Sequence, residues 1–183
     1  MTKRVASPSG ATRRDPRKHR EAPLRGLPPV IAADARVLIL GSFPSEASLA
    51  AAQYYAHPRN HFWPILGDVL REPLAQLPYA ERLARVKAHR VAIWDTIVAC
   101  ERSGSLDAAI RNAEQGEIHR VHRLARELRA VCFNGKTAAR ARAAWAEAGY
   151  ATLVMPSTSP AYTLPIAEKL VLWRELGRFL EER

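Results

Sequence analysis

The sequence predicts an α/β fold, a three-layer α/β/α sandwich around a central four-stranded parallel sheet. Two observations carry that prediction. Four short apolar runs recur along the chain, and each is followed by a stretch whose apolar residues return at helical spacing. The runs are continuous rather than alternating, which is what a strand needs when both of its faces are covered, and strand–helix alternation puts helices on both faces of a parallel sheet. A chain of 183 residues that is 48% hydrophobic has the material for one such core.

The elements follow in order. Val37, Leu38, Ile39 and Leu40 make the first strand. Residues 61–70 read as a helix with Asn60 as its N-cap. Pro78 opens a second helix that runs to His89, with Leu83 and Val86 facing inward. Val91, Ala92, Ile93 and Trp94 form the second strand, which ends at Asp95. Ser103, Gly104 and Ser105 are a flexible joint. Residues 117–129 are helical through Ile118, Val121, Leu124, Ala125 and Leu128. The third strand is 130–133, ending at Asn134, and 135–147 is helical again. Residues 152–155 are the fourth strand. A final amphipathic helix, 166–182, turns Leu170, Trp173, Leu176, Phe179 and Leu180 inward. There is no internal repeat.

Two regions are expected: a basic, disordered tail over residues 1–27 and a single domain over 28–183. The formal charge is +10, and Met1 to Gly26 supply a net +6 of it. A chain this basic is drawn to polyanions, nucleic acid first; a soluble domain with a basic tail is the plain alternative. The tail lacks an apolar h-region, and no run of about 18 apolar residues exists to span a membrane. A cytoplasmic, nucleoid-associated monomer is expected. Cys100 and Cys132, the only cysteines, end apolar runs and form no C-x-x-C pair, so they read as reduced packing residues.

In a parallel sheet the segments after each strand meet at one edge. Here those segments are 41–60, 95–105, 134–136 and 156–162. The first opens the stretch GSFPSEASLAAAQYYAHPRNHFW, residues 41–63. It concentrates rings and hydrogen-bonding groups in a way that suits a planar base beside a phosphate backbone.

The pieces GSFPS at 41–45, YYAHPRNHFW at 54–63, WDTIVACERSGSLDAAI at 94–110, FNGKTA at 133–138 and PSTSPAY at 156–162 together resemble the uracil-DNA glycosylase superfamily, most of all its hypoxanthine-DNA glycosylase (DNA-deoxyinosine glycosylase) branch. The resemblance spans nearly everything but the tail. The AHP-x-N-x-FW pattern is also similar to the mismatch-specific uracil glycosylases. The resemblance implies hydrolysis of a deaminated base's N-glycosidic bond in DNA, with no metal and no cofactor. Hypoxanthine comes first and uracil second, leaving an abasic site. The partner is duplex DNA holding a deaminated base, with single strands as a further form. The alternatives are a mismatch-directed uracil or thymine glycosylase and a module that binds lesions without cutting them.

Bond cleavage places positive charge on the sugar and negative charge on the departing base. The enzyme must flip the base, stabilise it, and place a water. Tyr55 is the expected stacking platform, with at most one of Tyr54 and Tyr55 facing the pocket and a core place as the competing role for either, and the GSFPS turn adds Ser42 and Phe43 to the base site. The superfamily's usual water-holding Asp or Asn stands where this chain has Phe43, so the amide must come from elsewhere. Asn60 is the candidate, its oxygen accepting from the water while its NH2 is held by a neighbour; capping the next helix is the competing role. Asp95 stands where uracil-specific relatives have a base-reading Asn. It can accept from a ring N–H or favour the cationic sugar, or simply cap a turn. Asn134 can read the base, brace Asn60, or tighten a turn. Ser157 and Ser159 match the motif that grips the DNA backbone, with Tyr162 and Leu164 as wedges. Met155 replaces the His that precedes this motif in the efficient uracil enzymes. His57, Arg59 and Lys136 are expected DNA contacts, Lys136 at a helix start. Zinc deaminase chemistry is excluded by the absence of any C-x-x-C pattern.

Overall fold

The computed structural model describes residues 22–181. Its centre is a four-stranded parallel sheet of β2 (Val37–Gly41), β3 (Val91–Asp95), β6 (Ala130–Asn134) and β7 (Ala151–Met155), in the order β3-β2-β6-β7. The three apolar strands β2, β3 and β6 are buried along their whole length, β3 at one edge being covered by a Val30–Ile93 bridge, whereas β7 at the other edge is half open. That gradient is why the first three read as unbroken apolar runs and the last carries Thr152.

Helices flank the sheet. They are α1 (Glu46–Ala51), α2 (Phe62–Leu70), α3 (Tyr79–Ala88), α4 (Ile118–Leu124), α5 (Arg142–Glu147) and α6 (Ile166–Trp173). α2 packs on α6, α3 on β3, and α5 on β7. Trp173 and Phe62 are fully buried and meet edge to face at 6.1 Å, joining α6 to α2. No helix among the described residues is long and apolar enough to cross a membrane. Cys100 and Cys132 are buried and free.

Several boundaries differ from the sequence reading. The stretch 117–129 is helical only over α4, and 135–147 divides into a 3-10 turn, Ala138–Ala141, and the short α5. The last helix ends at Trp173 and continues as a 3-10 segment to Phe179. The larger correction is a second sheet. β1 (Leu24–Arg25), β4 (Ile97–Glu101) and β5 (Arg111–Gln115) form a three-stranded antiparallel sheet in the order β1-β4-β5. The segment 95–105, read as a loop, is therefore mostly strand. Every residue of β5 is exposed, so it leaves no apolar period to detect. The expected tail lies mainly outside the described residues, but its end does not. Leu24–Arg25 pairs with β4, and the Gly26 N–H donates to the Val98 carbonyl at 2.8 Å. The folded part starts before residue 28.

Candidate active site at the sheet edge

β2, β3 and β6 end in Gly41, Asp95 and Asn134, and these residues share a cavity of about 330 Å³. Ser42, Phe43, Tyr55, Asn60, Asp107, Ser157, Ser159 and Tyr162 also line it. Nine of the residues expected from sequence thus meet in one place. His57, Arg59 and Lys136 do not line it; Arg59 and Lys136 are exposed. Lys136 precedes only the 3-10 turn, so the expected helix-start phosphate site is not formed there.

Asp95 and Tyr55 form the polar floor. Asp95 is 4% exposed. A Cβ on Gly41 would lie 2.4 Å from its Oδ1 and 3.1 Å from the Tyr55 hydroxyl, so only glycine lets both groups close over the strand end. The Asp95 Oδ2 and the Tyr55 hydroxyl are buried with no hydrogen-bond partner among the described residues. Two buried polar atoms without a partner are costly, and both belong to residues that line the cavity. Burial pushes Asp95 up to about 7, the charge of Asp107 adds to the rise, and Arg102 opposes it. Burial and the charge of Asp95 raise the Tyr55 phenol, the nearby Asn134 side chain pulls it back although the two form no well-aligned hydrogen bond, and the phenol stays a donor.

Because the folded state holds the Asp95 proton more tightly than the unfolded chain does, the contribution to stability runs one way. It is fully present below pH about 4 and is lost as pH rises to about 7. Asp95→Asn is expected to remove this loss, raising Tm at pH 8 by several degrees and leaving it almost unchanged at pH 4. Thermal melts at the two pH values check this; an equal shift at both would show that Asp95 is not strained by its charge.

The two adjacent tyrosines divide their work. Tyr54 is 3% exposed and donates its hydroxyl to the Leu27 and Pro28 carbonyls. Tyr55 has φ +54°, a left-handed backbone that turns its ring away from the path of Tyr54. One face of that ring is stacked on Phe62, with centroids 3.6 Å apart and planes 18° apart. Only the other face is left for a base. Phe43 lines the cavity with Arg102 against its ring, 4.9 Å from the centroid.

Asn60 sits just before α2. Its Oδ1 accepts the Phe62 N–H at 3.0 Å and so closes the first turn of α2, although the N-cap position itself is His61, one residue later than expected. This reverses the expected anchoring: the amide is held through its oxygen, and its NH2 has no partner among the described residues. The oxygen keeps a second lone pair.

Asn134, expected as a catalytic residue, has both ends of its amide engaged. Its Nδ2 donates to the Thr158 Oγ1 and its Oδ1 accepts the Thr158 N–H, both at 2.9 Å. Thr158 is fully buried. The pair fastens the 156–162 loop to the end of β6. His61 N–H to the Thr158 carbonyl, Trp173 Nε1 to the Pro156 carbonyl, and Lys169 Nζ to the Tyr162 carbonyl at 2.8 Å hold the same loop from α2 and α6. Gly135 has φ +96°, and a Cβ there would meet the Ser157 Cβ at 2.9 Å. Ser157 and Ser159 accept loop N–H groups at 3.2 Å each, which leaves their hydroxyl hydrogens available to donate outward.

Asp107 was missed by the sequence reading. It accepts from Ser42 Oγ at 2.7 Å and so ties the GSFPS turn to the 103–109 segment. The signal available was an acid two residues beyond the Ser-Gly-Ser joint. Asp95, Asp107 and Ala108 also line a second, larger cavity of about 830 Å³.

The chain matches the model of the Uracil DNA glycosylase superfamily over residues 28–177. It is 36% identical over 137 residues to a hypoxanthine DNA glycosylase of Methanosarcina acetivorans, covering 75% of this chain and 87% of that one. It is 34% identical over 151 residues to a hypoxanthine DNA glycosylase of Methanosarcina barkeri, covering 82% and 96%. A solution NMR structure of a Methanosarcina acetivorans protein, assigned provisionally as a uracil DNA glycosylase, superposes with a TM-score of 0.78 at 34% identity, covering 86% of this chain and 98% of that one.

Proposed function

The chain belongs to the uracil DNA glycosylase superfamily, and from that premise we propose that it is a monofunctional DNA glycosylase of base excision repair. It hydrolyses the N-glycosidic bond of deaminated bases in DNA, hypoxanthine first and uracil second, and leaves an abasic site. The observation that carries this is the cavity itself. Its volume of about 330 Å³ falls within the range of small-ligand pockets, and Tyr55 and Asp95, each with a buried polar atom that no described group satisfies, line it. The two hypoxanthine-directed relatives support the choice of purine.

Each group has a task. A flipped base slides between the free face of Tyr55 and the Phe43 side, where stacking returns about 1–3 kcal/mol against an extrusion cost of a few. Asn60 Oδ1 orients a water below the sugar; an amide is a poor proton acceptor, so its work is positioning. The Ser157 and Ser159 hydroxyls take flanking phosphates, and Arg59 and Lys136 add exposed positive charge with His57 beside them. Tyr162, 43% exposed at the rim, fills the gap left by the base. The enzyme acts as a cytoplasmic monomer on duplexes, with single strands as a further substrate form. Asn60 keeps an amide in the cavity although Phe43 has displaced the usual one, so the mere lesion-binder reading is set aside.

The test is a panel of labelled duplexes carrying hypoxanthine, uracil or a guanine–thymine mismatch, treated with enzyme and then alkali. Cleavage at hypoxanthine exceeding that at uracil, with none at thymine, is expected. Preference for the guanine–thymine pair would move the chain to the mismatch-directed class, and no abasic product on any duplex would end the proposal.

A further inference from the structure

Asp95 has surroundings that fit one charge state better than the other. It ends β3 beneath the base cavity, 4% exposed, and no described side chain donates to its Oδ2. The groups that face it are Asp107 from the 3-10 turn Asp107–Ala109, Arg102 just past β4, and the Tyr54 and Tyr55 phenols. Arg102 makes no ion pair with it; its guanidinium lies over Phe43 and donates to the Pro44 carbonyl. Asp107 already accepts the Ser42 hydroxyl hydrogen at its Oδ1. An ionised carboxylate here would have a second acid for company and no cation in contact. A neutral carboxylic acid would have a proton to donate, and the cavity is the place to donate it.

The wall that holds Asp95 has two sides. On one is the base cavity; on the other is the larger cavity of about 830 Å³, which Arg111, Asn112, Gln115 and Arg140 also line. A proton given up toward the base can be replaced from the second side while the base still fills the first.

We propose that Asp95 is the general acid of the reaction, donating its proton to N7 of the departing hypoxanthine. This rests on the glycosylase reading above. As the C1′–N9 bond breaks, its electron pair stays with the purine. The Asp95 carboxyl proton passes to N7, so the base leaves as the neutral N7–H tautomer. The water held by Asn60 adds its oxygen to C1′ and releases a proton, and Asp95 regains one through the second cavity. The sum is one water consumed, one neutral base and one abasic sugar produced. Protonation by Asp95 also gives a site with Met155 in place of a histidine a way to assist a purine, which carries an N7 to protonate where uracil has none.

The experiment uses the full chain in excess over duplex, so that single-turnover rates separate chemistry from binding. Wild type is expected to cleave hypoxanthine at a constant rate below pH about 7 and to fall about tenfold per pH unit above it. Asp95→Asn, which keeps size and hydrogen bonding but carries no acidic proton, is expected to be about 100-fold slower at pH 6.5 and flat with pH. On a duplex carrying 7-deazahypoxanthine, which has no N7 to protonate, the ratio of wild type to Asp95→Asn is expected to close to within about fivefold. A wild-type rate that rises through pH 7 would overturn the assignment, as would a ratio that persists undiminished on the deaza base. Absence of any cleavage by wild type would instead overturn the glycosylase reading on which it stands.

Discussion

Asn60→Ala is expected to lower the single-turnover rate on hypoxanthine duplexes by about 100- to 1,000-fold with little change in duplex affinity. The magnitude is that of losing a positioned reactant or a single stabilising hydrogen bond in a closed site. Asn60 lines the cavity, and its Oδ1 accepts the Phe62 N–H at 3.0 Å, which fixes the amide relative to α2. The alanine change removes two things at once, the water's partner and a helix cap worth about 1 kcal/mol. Asn60→Asp separates them. A carboxylate still accepts from Phe62, so the start of α2 survives and Tm stays within about 2 °C of wild type. If Asn60→Asp retains α2 and restores activity to within tenfold, the NH2 is dispensable and the oxygen is the working atom. If Asn60→Ala cleaves as fast as wild type, Asn60 is a cap and nothing more.

Asn134→Ala should do its damage to the loop. It removes two hydrogen bonds of 2.9 Å to a Thr158 that has no exposed surface, stranding both the N–H and the hydroxyl. Leaving buried polar groups unmet costs about 1–3 kcal/mol each, so a loss of about 3 kcal/mol and a fall of about 6–12 °C in Tm are expected. The 156–162 loop then loses its tie to the sheet, and duplex affinity is expected to drop about tenfold because Ser157 and Ser159 are no longer presented together. Asn134→Asp keeps the acceptor for the Thr158 N–H, and the Thr158 hydroxyl can turn to donate, so about half the stability is expected back. Thermal melts and salt-controlled titrations with an abasic duplex measure the two effects. An unchanged Tm in Asn134→Ala would mean the loop is held by His61, Lys169 and Trp173 alone, and that Asn134 faces the base instead.

Both predictions depend on contacts that the sequence hides. Asn60 and Phe62 are two residues apart, and a cap before an apolar helix is a local pattern that can be read directly. Asn134 and Thr158 are 24 residues apart, Ser42 and Asp107 are 65 apart, and nothing local ties one to the other. The aromatic pair is intermediate. Adjacent tyrosines signal that one points in and one out, but their separation depends on the left-handed backbone at Tyr55 and on the seat that Phe62 offers its ring.

The sequence by itself determined the central sheet, its flanking helices and the edge where the strand ends meet. Each of those rests on the period and continuity of apolar residues, and burial is a local, additive driving force that leaves its mark on the chain. Tertiary structure alone decided the second sheet, the loop clamp at Asn134, the pairing of Ser42 with Asp107 and the isolation of Asp95. These depend on polar groups finding distant partners, or failing to find them, and directional bonds between remote residues leave no periodic trace.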